Sequence, residues 1–413
     1  MFLFLKIFII SYTFFFQYVI FRRIRSKFYH ENWYKAFTRI YWFLVIFTEI
    51  YFLLYMFSGR TFWHTFSYFY FRPLHYFVLA WQYSFIFMFP VYLIFMFLKK
   101  AILYLEKYFY QNKTNEKIFY KKYISRKDFL NKLSDTAIDT LPLSVTLGSY
   151  GLMLKNKEEF HVTRQQVKIN NLHDDLKGFK FTHITDIHIG NIINENYLNN
   201  AVKAIESVES DMLIITGDII DSISHIPLAQ KFFYQLKDKF KYGMTAILGN
   251  HDFFVDPTLI ETGLTKAGIN VIRNKNNILN RGNGSINLIG LDYPIEGRRS
   301  REKRMLLAKF FFNEAVKDIN IEYPSILLNH HPDEFAFLKN ENIDLVLAGH
   351  THGGQVSFSK ERDSVLSFGN SFYKYYRGLY YENGTHLYVN QGLGHWLPIR
   401  LNCPPEVSII EIS

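Results

Sequence analysis

The sequence predicts an α/β domain preceded by an all-α transmembrane region. Three long apolar runs lie within the first hundred residues, and after about residue 155 short apolar stretches alternate with charged stretches of helical character. Apolar runs of about 20 residues are long enough to cross a bilayer. Short apolar runs separated by amphipathic segments are typical of the strands and helices of an α/β fold. At 413 residues the chain is also long enough for more than one structural unit.

The apolar runs predict three membrane-spanning helices, at residues 2–20, 40–57 and 74–98. The first run contains one charged residue, Lys6, the second contains Glu49, and the third contains none. Aromatic side chains crowd the runs and their ends, as is typical of the lipid–water boundary. A signal peptide followed by buried core helices is the alternative. Three such runs in succession, without a small-residue cleavage site after the first, favour a multi-pass protein of the cell membrane.

Charge is distributed unevenly along the chain. Residues 1–160 contain 21 Lys and Arg against 9 Asp and Glu, whereas residues 161–413 contain 26 against 28. The net charge of +10 therefore belongs to the N-terminal part, where basic residues lie between apolar runs. This pattern favours a membrane over nucleic acid as the partner. Because Cys403 is the one cysteine, an intrachain disulfide and a thiolate metal cluster are excluded.

The basic residues also predict an orientation. Six lie between the first two runs, two between the second and third, and ten between residues 99 and 132. Since basic connections stay in the cytoplasm, the N-terminus is expected outside. The basic juxtamembrane linker, 101–160, contains a possible fourth span at 136–154, although Asp139 and Pro142 also permit an interfacial or packed segment. If 136–154 crosses, the domain at 161–413 is extracytoplasmic.

Polar residues follow several of the strand-like stretches in the C-terminal part. They are Asp186 and His188 after FKFTHIT, Asp218 after MLIIT, Asn250 and His251 after MTAIL, His330 after SILL, and His350 and His352 after LVLA. Because the carboxyl ends of neighbouring strands meet in one crevice of an open α/β sheet, these side chains are expected to converge. Carboxylate, imidazole and amide ligands without thiolate suit Mn, Fe or Zn.

Two pairs of these residues are separated by a single position. Alternate residues on an extended chain point the same way, so we expect Asp186 and His188 to bind one ion together. The same spacing makes His350 and His352 metal ligands at a strand end, each directed to a different ion. The surrounding glycines allow the backbone to approach the ions closely. A single histidine is more often a core or surface residue, but the ordered set favours a metal centre.

The ordered blocks resemble those of a known family. They are Asp186-x-His188, Gly217-Asp218-x-x-Asp221, Gly249-Asn250-His251-Asp252, His330 before Pro332, and Gly349-His350-Thr351-His352. Over roughly residues 175 to 410 the chain resembles the calcineurin-like metallophosphoesterase superfamily. The stretches GGQ and NQGLGHWLPIRLNCPPEV resemble a bacterial, membrane-associated branch of it. The resemblance implies a four-layer α-β-β-α sandwich of two mixed sheets, with a dimetal site at the sheet edge.

The resemblance also implies roles for individual residues. Asp186, His188 and His352 would bind the first ion, Asn250, His330 and His350 the second, and Asp218 both. A hydroxide bridging the ions would attack phosphorus in a phosphodiester or phosphomonoester. His251 would protonate the leaving oxygen, and Asp221 would orient that imidazole.

Several positions have simpler interpretations. His331 is an alternative ligand to His330, although the spacing to Pro332 favours His330. We interpret Asp252 as a turn or capping residue, His183 as facing away from the site, and His395 as a loop contact. The basic stretch Gly297–Arg304 is expected to be a solvated helix start rather than a binding site for lipid phosphate or an anionic substrate.

Three functions are compatible with the sequence. The favoured one is a membrane-anchored phosphoesterase that acts near the bilayer on a phosphoester such as a lipid-linked or envelope precursor. A cytosol-facing nucleotide phosphodiesterase is the second. The third is a catalytically silent sensor or scaffold, which the presence of every expected ligand and of the candidate acid argues against.

Overall fold

The chain divides into two compact units, Met1–Leu154 and Lys155–Ser413. The structure is a computed structural model. It describes residues 2–57; 74–104 apart from 87, 95, 98–99 and 102–103; 144–151 apart from 149; and 159–413 apart from 191–192, 358–368, 370–371 and 396–399.

Three long helices make up most of the described part of the first unit. They are α1 (Phe2–Phe28), α2 (Tyr34–Phe57) and α3, whose apolar segment is Leu74–Ile94. All three are long and apolar enough to cross a membrane. Helix α1 continues eight residues beyond the apolar run that ends at residue 20, because Arg and Lys are good helix formers and limit the apolar segment without ending the helix.

The described residues of the basic linker are too few to test the predicted fourth span. Within 136–154 the structure describes only 144–148, 150 and 151, all of which are helical. The rest of that segment lies outside the described residues. A crossing at 136–154 therefore stays a prediction.

The second unit contains two six-stranded sheets. Their strands are β1 (His161–Val167), β2 (Lys180–Ile184), β3 (Met212–Thr216), β4 (Met244–Ile247), β5 (Ile269–Val271), β6 (Lys275–Arg281), β7 (Gly284–Gly290), β8 (Ser325–Leu328), β9 (Leu345–Ala348), β10 (Gly378–Glu382), β11 (Thr385–Val389) and β12 (Glu406–Ile412). The first sheet has the order β1-β12-β2-β3-β4-β5 and the second β10-β11-β9-β8-β7-β6. Both are mixed, because β12 is antiparallel to β2, and β6 and β10 are antiparallel to their neighbours.

Helices cover the outer faces of the sheets. They are α4 (Glu195–Glu206), α5 (Ile226–Leu236), α6 (Asn250–Val255), α7 (Pro257–Lys266), α8 (Arg301–Ala315) and α9 (Phe335–Leu338). Successive side chains of a strand face opposite sides. Accordingly Leu213 of β3 packs with the helices α4, α5 and α7, whereas Ile214 faces the second sheet. In β8, Ile326 faces the first sheet and Leu327 packs with α8 and α9. These four layers confirm the predicted α-β-β-α sandwich.

The strand order determines where the polar loops lie. Strands β2, β3 and β4 are adjacent and parallel, as are β8 and β9 in the other sheet. Their carboxyl ends therefore open at common edges, and the loops that follow them carry the residues singled out in the sequence. This is the position at which α/β sheets usually bind ligands.

Candidate metal centre

The polar residues lie just beyond the strands, in an unusual backbone conformation. Asp186, His188, Asp218, His350 and His352 have φ values of 51, 52, 51, 70 and 50°. Non-glycine residues rarely adopt this left-handed region, and they keep it where the surrounding structure requires it. The expectation that each pair lies on extended chain is therefore wrong. Tight turns after the strands, rather than alternation along a strand, bring the side chains together.

Two glycines make room for these turns. A Cβ atom on Gly249 would collide with the carboxylate and backbone nitrogen of Asp218, and one on Gly349 would collide with Thr185 and the Asp186 carboxylate. Both positions thus require glycine for packing rather than for φ, since neither has a positive φ. The glycines next to Asn250 and His350 in the sequence blocks are explained by this crowding.

A first group of ligand atoms comes from Asp186, His188 and His352, all of which are buried. Nε2 of His188 lies 3.1 Å from Nε2 of His352. The latter nitrogen lies 3.5 Å from Oδ1 of Asp186. These are the three residues that the family resemblance places on the first ion.

A second group lies beside the first. Nε2 of His330 is 3.3 Å from Oδ2 of Asp218, 3.1 Å from Oδ1 of Asn250 and 3.3 Å from Nδ1 of His350. The same Asp218 oxygen lies 3.8 Å from Nε2 of His188 in the first group. Asp218 is thus the side chain that joins the two groups.

The atoms in both groups have the chemistry and spacing of metal ligands. Two atoms each about 2.1 Å from one ion are about 3.0 to 3.4 Å apart at octahedral or tetrahedral angles, which matches most of the separations. Oδ1 of Asp186 is buried and has no hydrogen-bond partner among the described residues. A buried carboxylate oxygen without a partner is costly unless a cation binds it. The two groups therefore fit a pair of divalent ions.

Neighbouring groups orient two of the imidazoles. Nδ1 of His330 lies 2.7 Å from the carbonyl oxygen of Thr216. Nδ1 of His188 lies 2.9 Å from Oδ1 of Asp221. Because each Nδ1–H donates to an oxygen, each Nε2 is left with a lone pair that faces the ligand group, as is usual for metal-binding histidines.

The electrostatics of the centre favour cations. Burial alone would lower the pKa of His188 and of His330. The Asp221, Asp218 and Asp186 carboxylates instead raise the pKa of His188 to about 9, and Asp218 and Asp186 raise that of His330 to about 10. The carboxylates thus stabilise positive charge at this edge of the sheets. Divalent ions supply that charge when they bind.

A further histidine lies at the edge of the centre. Nδ1 of His251 is 3.1 Å from Oδ1 of Asp221, and its backbone N–H donates to Oδ1 of Asp218 at 2.8 Å. Its side chain is 13% exposed, whereas that of His188 is 1% exposed. His251 is therefore accessible from solvent while Asp221 holds its ring. This arrangement suits a group that transfers a proton to or from a substrate.

Four residues near the centre, His331, Asp252, His183 and His395, have contacts that do not require a metal ion. His331 caps the turn Pro332–Glu334 through its Nδ1, which accepts from the Asp333 N–H at 3.3 Å, and it belongs to neither ligand group. Asp252 accepts hydrogen bonds from the backbone of Ile219, Ile220 and Gly249. His183 bonds to Thr216, and His395 to Arg400. None of these contacts involves a ligand atom of the centre.

The basic stretch Gly297–Arg304 is mostly a solvated helix start. Ser300 caps α8 by accepting from the Lys303 N–H at 3.3 Å, and residues 298–303 are exposed. Arg304 is the exception, because it pairs with Asp333 and Glu334 in the turn after His330 and His331.

Two residues near the centre are not evident from the sequence. Nη2 of Arg400 lies 3.2 Å from Nδ1 of His352, and the buried Arg400 side chain bonds to the backbone carbonyls of residues 391, 392, 394, 403 and 404. The hydroxyl of Tyr373 lies 3.5 Å from Nε2 of His350. The one signal for Arg400 is a single charge within the apolar stretch LPIRLNCPP. Nothing distinguishes Tyr373 from the other tyrosines.

The chain is similar to known metallophosphoesterases. A family model described as calcineurin-like phosphoesterase matches residues 179–354. An uncharacterized metallophosphoesterase of Campylobacter jejuni is 30% identical over 288 residues, which cover 69% of this chain and 71% of the relative. A phosphodiesterase of Escherichia coli, YaeI, is 26% identical over 58% of this chain and 84% of its own length.

One similar protein is itself described as a membrane protein. A transmembrane protein with metallophosphoesterase domain from Danio rerio is 28% identical over 66% of this chain and 62% of its own length. Together with the three apolar helices, this similarity indicates membrane association. Among the relatives from Helicobacter and Campylobacter, the alignments span 60 to 75% of the relatives' lengths.

Proposed function

Because the chain belongs to the calcineurin-like metallophosphoesterase family, we propose that it is a membrane-anchored, metal-dependent hydrolase of a phosphodiester or phosphomonoester. The substrate is an ester with an apolar leaving group, such as a lipid or envelope precursor. The chain is a hydrolase of phosphoric esters by family. The observation that carries the chemistry is the convergence of two ligand groups joined by Asp218.

The centre would hold two divalent ions, of Mn, Fe or Zn. The ligands would be Asp186, His188 and His352 for one ion, Asn250, His330 and His350 for the other, and Asp218 for both. Divalent ions supply a water-derived nucleophile at neutral pH and neutralise charge on the phosphoryl oxygens.

His251, held by Asp221, is the residue that would transfer a proton to the leaving group. A protonated His251 ring donates one N–H to Asp221 and keeps the other, Nε2–H, for the leaving oxygen of the ester. Asp221 stabilises the protonated ring and fixes its orientation. The leaving group therefore departs on the side of the centre where His251 lies.

Apolar side chains near this side support an amphiphilic substrate. Phe254 follows His251 by three residues, is 49% exposed, and its ring lies 5.7 Å from that of His251. Ile223 follows Asp221 by two residues and is 46% exposed. The guanidinium of exposed Arg298 lies 6.0 Å from the Phe254 ring. Exposed apolar groups beside a positive charge match an apolar leaving group that carries an anionic head.

The same ring supports the second candidate, a nucleotide phosphodiesterase. A planar base could stack on Phe254, since aromatic rings bind every base through its face. The two candidates share the metal chemistry and differ in the leaving group. A substrate comparison with one protein preparation therefore separates them.

The test uses the full chain, purified in detergent and loaded with Mn²⁺. Hydrolysis is measured for bis(p-nitrophenyl) phosphate, a panel of nucleotides, phospholipids and lipid-linked diphosphates. We expect the highest kcat/KM for a lipid-linked ester and background rates for Asp218→Asn with every substrate. Highest activity on a nucleotide would support the second candidate, and no metal-dependent activity on any ester would contradict both.

A matched pair of variants tests the leaving-group surface. Phe254→Ser should lower kcat/KM for the lipid-linked ester while sparing bis(p-nitrophenyl) phosphate. Phe310→Ser is the control, because Phe310 is 57% exposed on α8, outside the loops that carry the ligands. Equal effects of the two substitutions would contradict a role for Phe254.

A further inference from the structure

The three apolar helices of the first unit enclose a cluster of polar side chains. Helix α1 contributes Thr13 and Gln17, α2 contributes Glu49 and α3 contributes Gln82. Glu49 is 8% exposed and the other three are 0% exposed. Buried carboxyl and amide groups within membrane-spanning helices are costly and usually mark a functional site.

Hydrogen bonds fix one half of this cluster. Oε1 of Glu49 accepts from Oγ1 of Thr13 at 3.0 Å and from Nε2 of Gln17 at 2.7 Å. The Gln17 side-chain oxygen accepts from the indole N–H of Trp81 at 3.2 Å. The Tyr41 hydroxyl donates to the Gln17 backbone carbonyl at 2.7 Å. These contacts, from all three helices, hold the carboxyl group and the Gln17 amide in place.

The other half of the cluster makes no hydrogen bond of normal geometry among the described residues. Oε2 of Glu49 and both polar atoms of the Gln82 side chain are buried without a hydrogen bond among the described residues. The Gln82 amide lies next to the Glu49 carboxyl group without bonding to it in normal geometry. Buried polar atoms in a low-dielectric interior are normally satisfied. An additional group that binds oxygen atoms would satisfy Oε2 of Glu49 and Oε1 of Gln82.

We propose that Glu49 and Gln82, supported by Gln17 and Thr13, form a binding site for a monovalent metal cation, Na⁺, between the three helices. Carboxylate, amide and hydroxyl oxygens are the ligands of hard cations. One carboxylate balances one positive charge, whereas a divalent ion would leave an uncompensated charge in an apolar interior.

Within the described parts of the three helices, no charged side chain of Lys, Arg or His pairs with Glu49. Two titratable side chains of these helices bond to other groups: Tyr41 donates to the Gln17 backbone carbonyl, and Tyr51 bonds to His75 at 3.0 Å. The cluster lies in a different unit from the metal centre, so this proposal does not depend on the hydrolytic function.

Labelling by a hydrophobic carbodiimide tests the proposal, since such reagents react with protonated carboxyl groups in apolar surroundings. The full chain in detergent is treated at fixed pH in NaCl or in choline chloride of equal concentration, and modification of Glu49 is measured by mass spectrometry. NaCl should slow labelling severalfold relative to choline chloride. Labelling that falls as the pH rises but does not respond to Na⁺, as at any carboxyl group, would overturn the proposal. No labelling at any pH while other carboxyl groups react would overturn it as well.

Two substitutions in α3 add a specific control. Gln82→Leu should abolish the response of Glu49 labelling to Na⁺, because it removes one of the two oxygens that lack a hydrogen bond. Ser84→Ala removes a buried hydroxyl that bonds to the Ala80 carbonyl two residues from Gln82, and it should leave the response unchanged. The wild-type comparison stands without either variant if Gln82→Leu does not fold. An unchanged response in folded Gln82→Leu would exclude Gln82 from the site.

Discussion

Oδ1 of Asp221 lies 2.9 Å from Nδ1 of His188. The same oxygen lies 3.1 Å from Nδ1 of His251. Burial of Asp221 by itself would raise its pKa, but His188 and His251 hold this pKa well below its usual range. One carboxylate thus orients both a candidate metal ligand and the candidate acid, so it couples metal binding to proton transfer.

We expect Asp221→Asn to impair both functions. Loss of a carboxylate that orients a metal-binding histidine typically costs about 10- to 100-fold in metal affinity or activity. Metal titration of the variant should show weaker binding, and turnover at saturating metal should still be reduced because His251 loses its anionic partner. Asp238→Asn, at an exposed aspartate, is the control. Wild-type affinity and turnover in Asp221→Asn would be inconsistent with this account.

Substitution of His251 should separate proton transfer from metal binding. His188, Asp221 and His251 also lie close enough together to hold an ion, but the proposed ligand sets do not include His251, so His251→Asn should keep nearly all of the bound metal. Turnover should fall by roughly 100-fold or more, the usual contribution of a positioned acid. The loss should be smaller for nitrophenyl esters, whose leaving group needs no proton. Equal losses for nitrophenyl and alkyl esters would rule out the acid role.

The C-terminal unit should be an enzyme without the helices. Every candidate ligand and all three hydrophobic clusters of the sandwich lie within Lys155–Ser413. Expressed alone, this unit should be soluble, bind metal and hydrolyse small phosphate esters at the rate of the full chain. Aggregation of the isolated unit, or failure to bind metal, would show that the sandwich needs the helical part.

The catalytic domain should face away from the cytoplasm. This prediction follows from the basic connections around the first and third spans and from a crossing at 136–154. The native Cys403 is buried, and its Sγ donates to the Gly353 carbonyl at 3.0 Å, so Cys403→Ser gives a suitable background. In that background, Glu159→Cys should react with an impermeant maleimide in intact cells. Reaction only after lysis would place the domain in the cytoplasm.

The sequence predicted which residues meet, but not how the backbone brings them together. Polar residues after apolar runs predicted convergence at one sheet edge, because strand position and burial follow from hydrophobic pattern. The left-handed φ values of Asp186, His188 and His352 were not predictable. They depend on how loops pack against each other, which no local pattern records.

The sequence likewise did not predict which residues contact each other over long separations in the chain. Arg400 bonds to His352 across 48 residues, and Gln17 bonds to Glu49 across 32. The sequence marked Glu49 as the one charge of its apolar run, yet it gave no sign of the partners in α1 and α3. Those partners depend on the packing of three helices, which hydropathy alone does not determine.

The most direct test of the dimetal account is metal stoichiometry together with hydrolysis, for the full chain and for Asp218→Asn. Both proteins are purified in detergent, loaded with Mn²⁺ and freed of excess metal before elemental analysis and assay with bis(p-nitrophenyl) phosphate. We predict two ions per wild-type chain with metal-dependent hydrolysis, and at most one ion with background hydrolysis for Asp218→Asn, because Asp218 joins both ligand groups. Two ions and full activity in Asp218→Asn, or no bound metal in an active wild-type chain, would contradict the account.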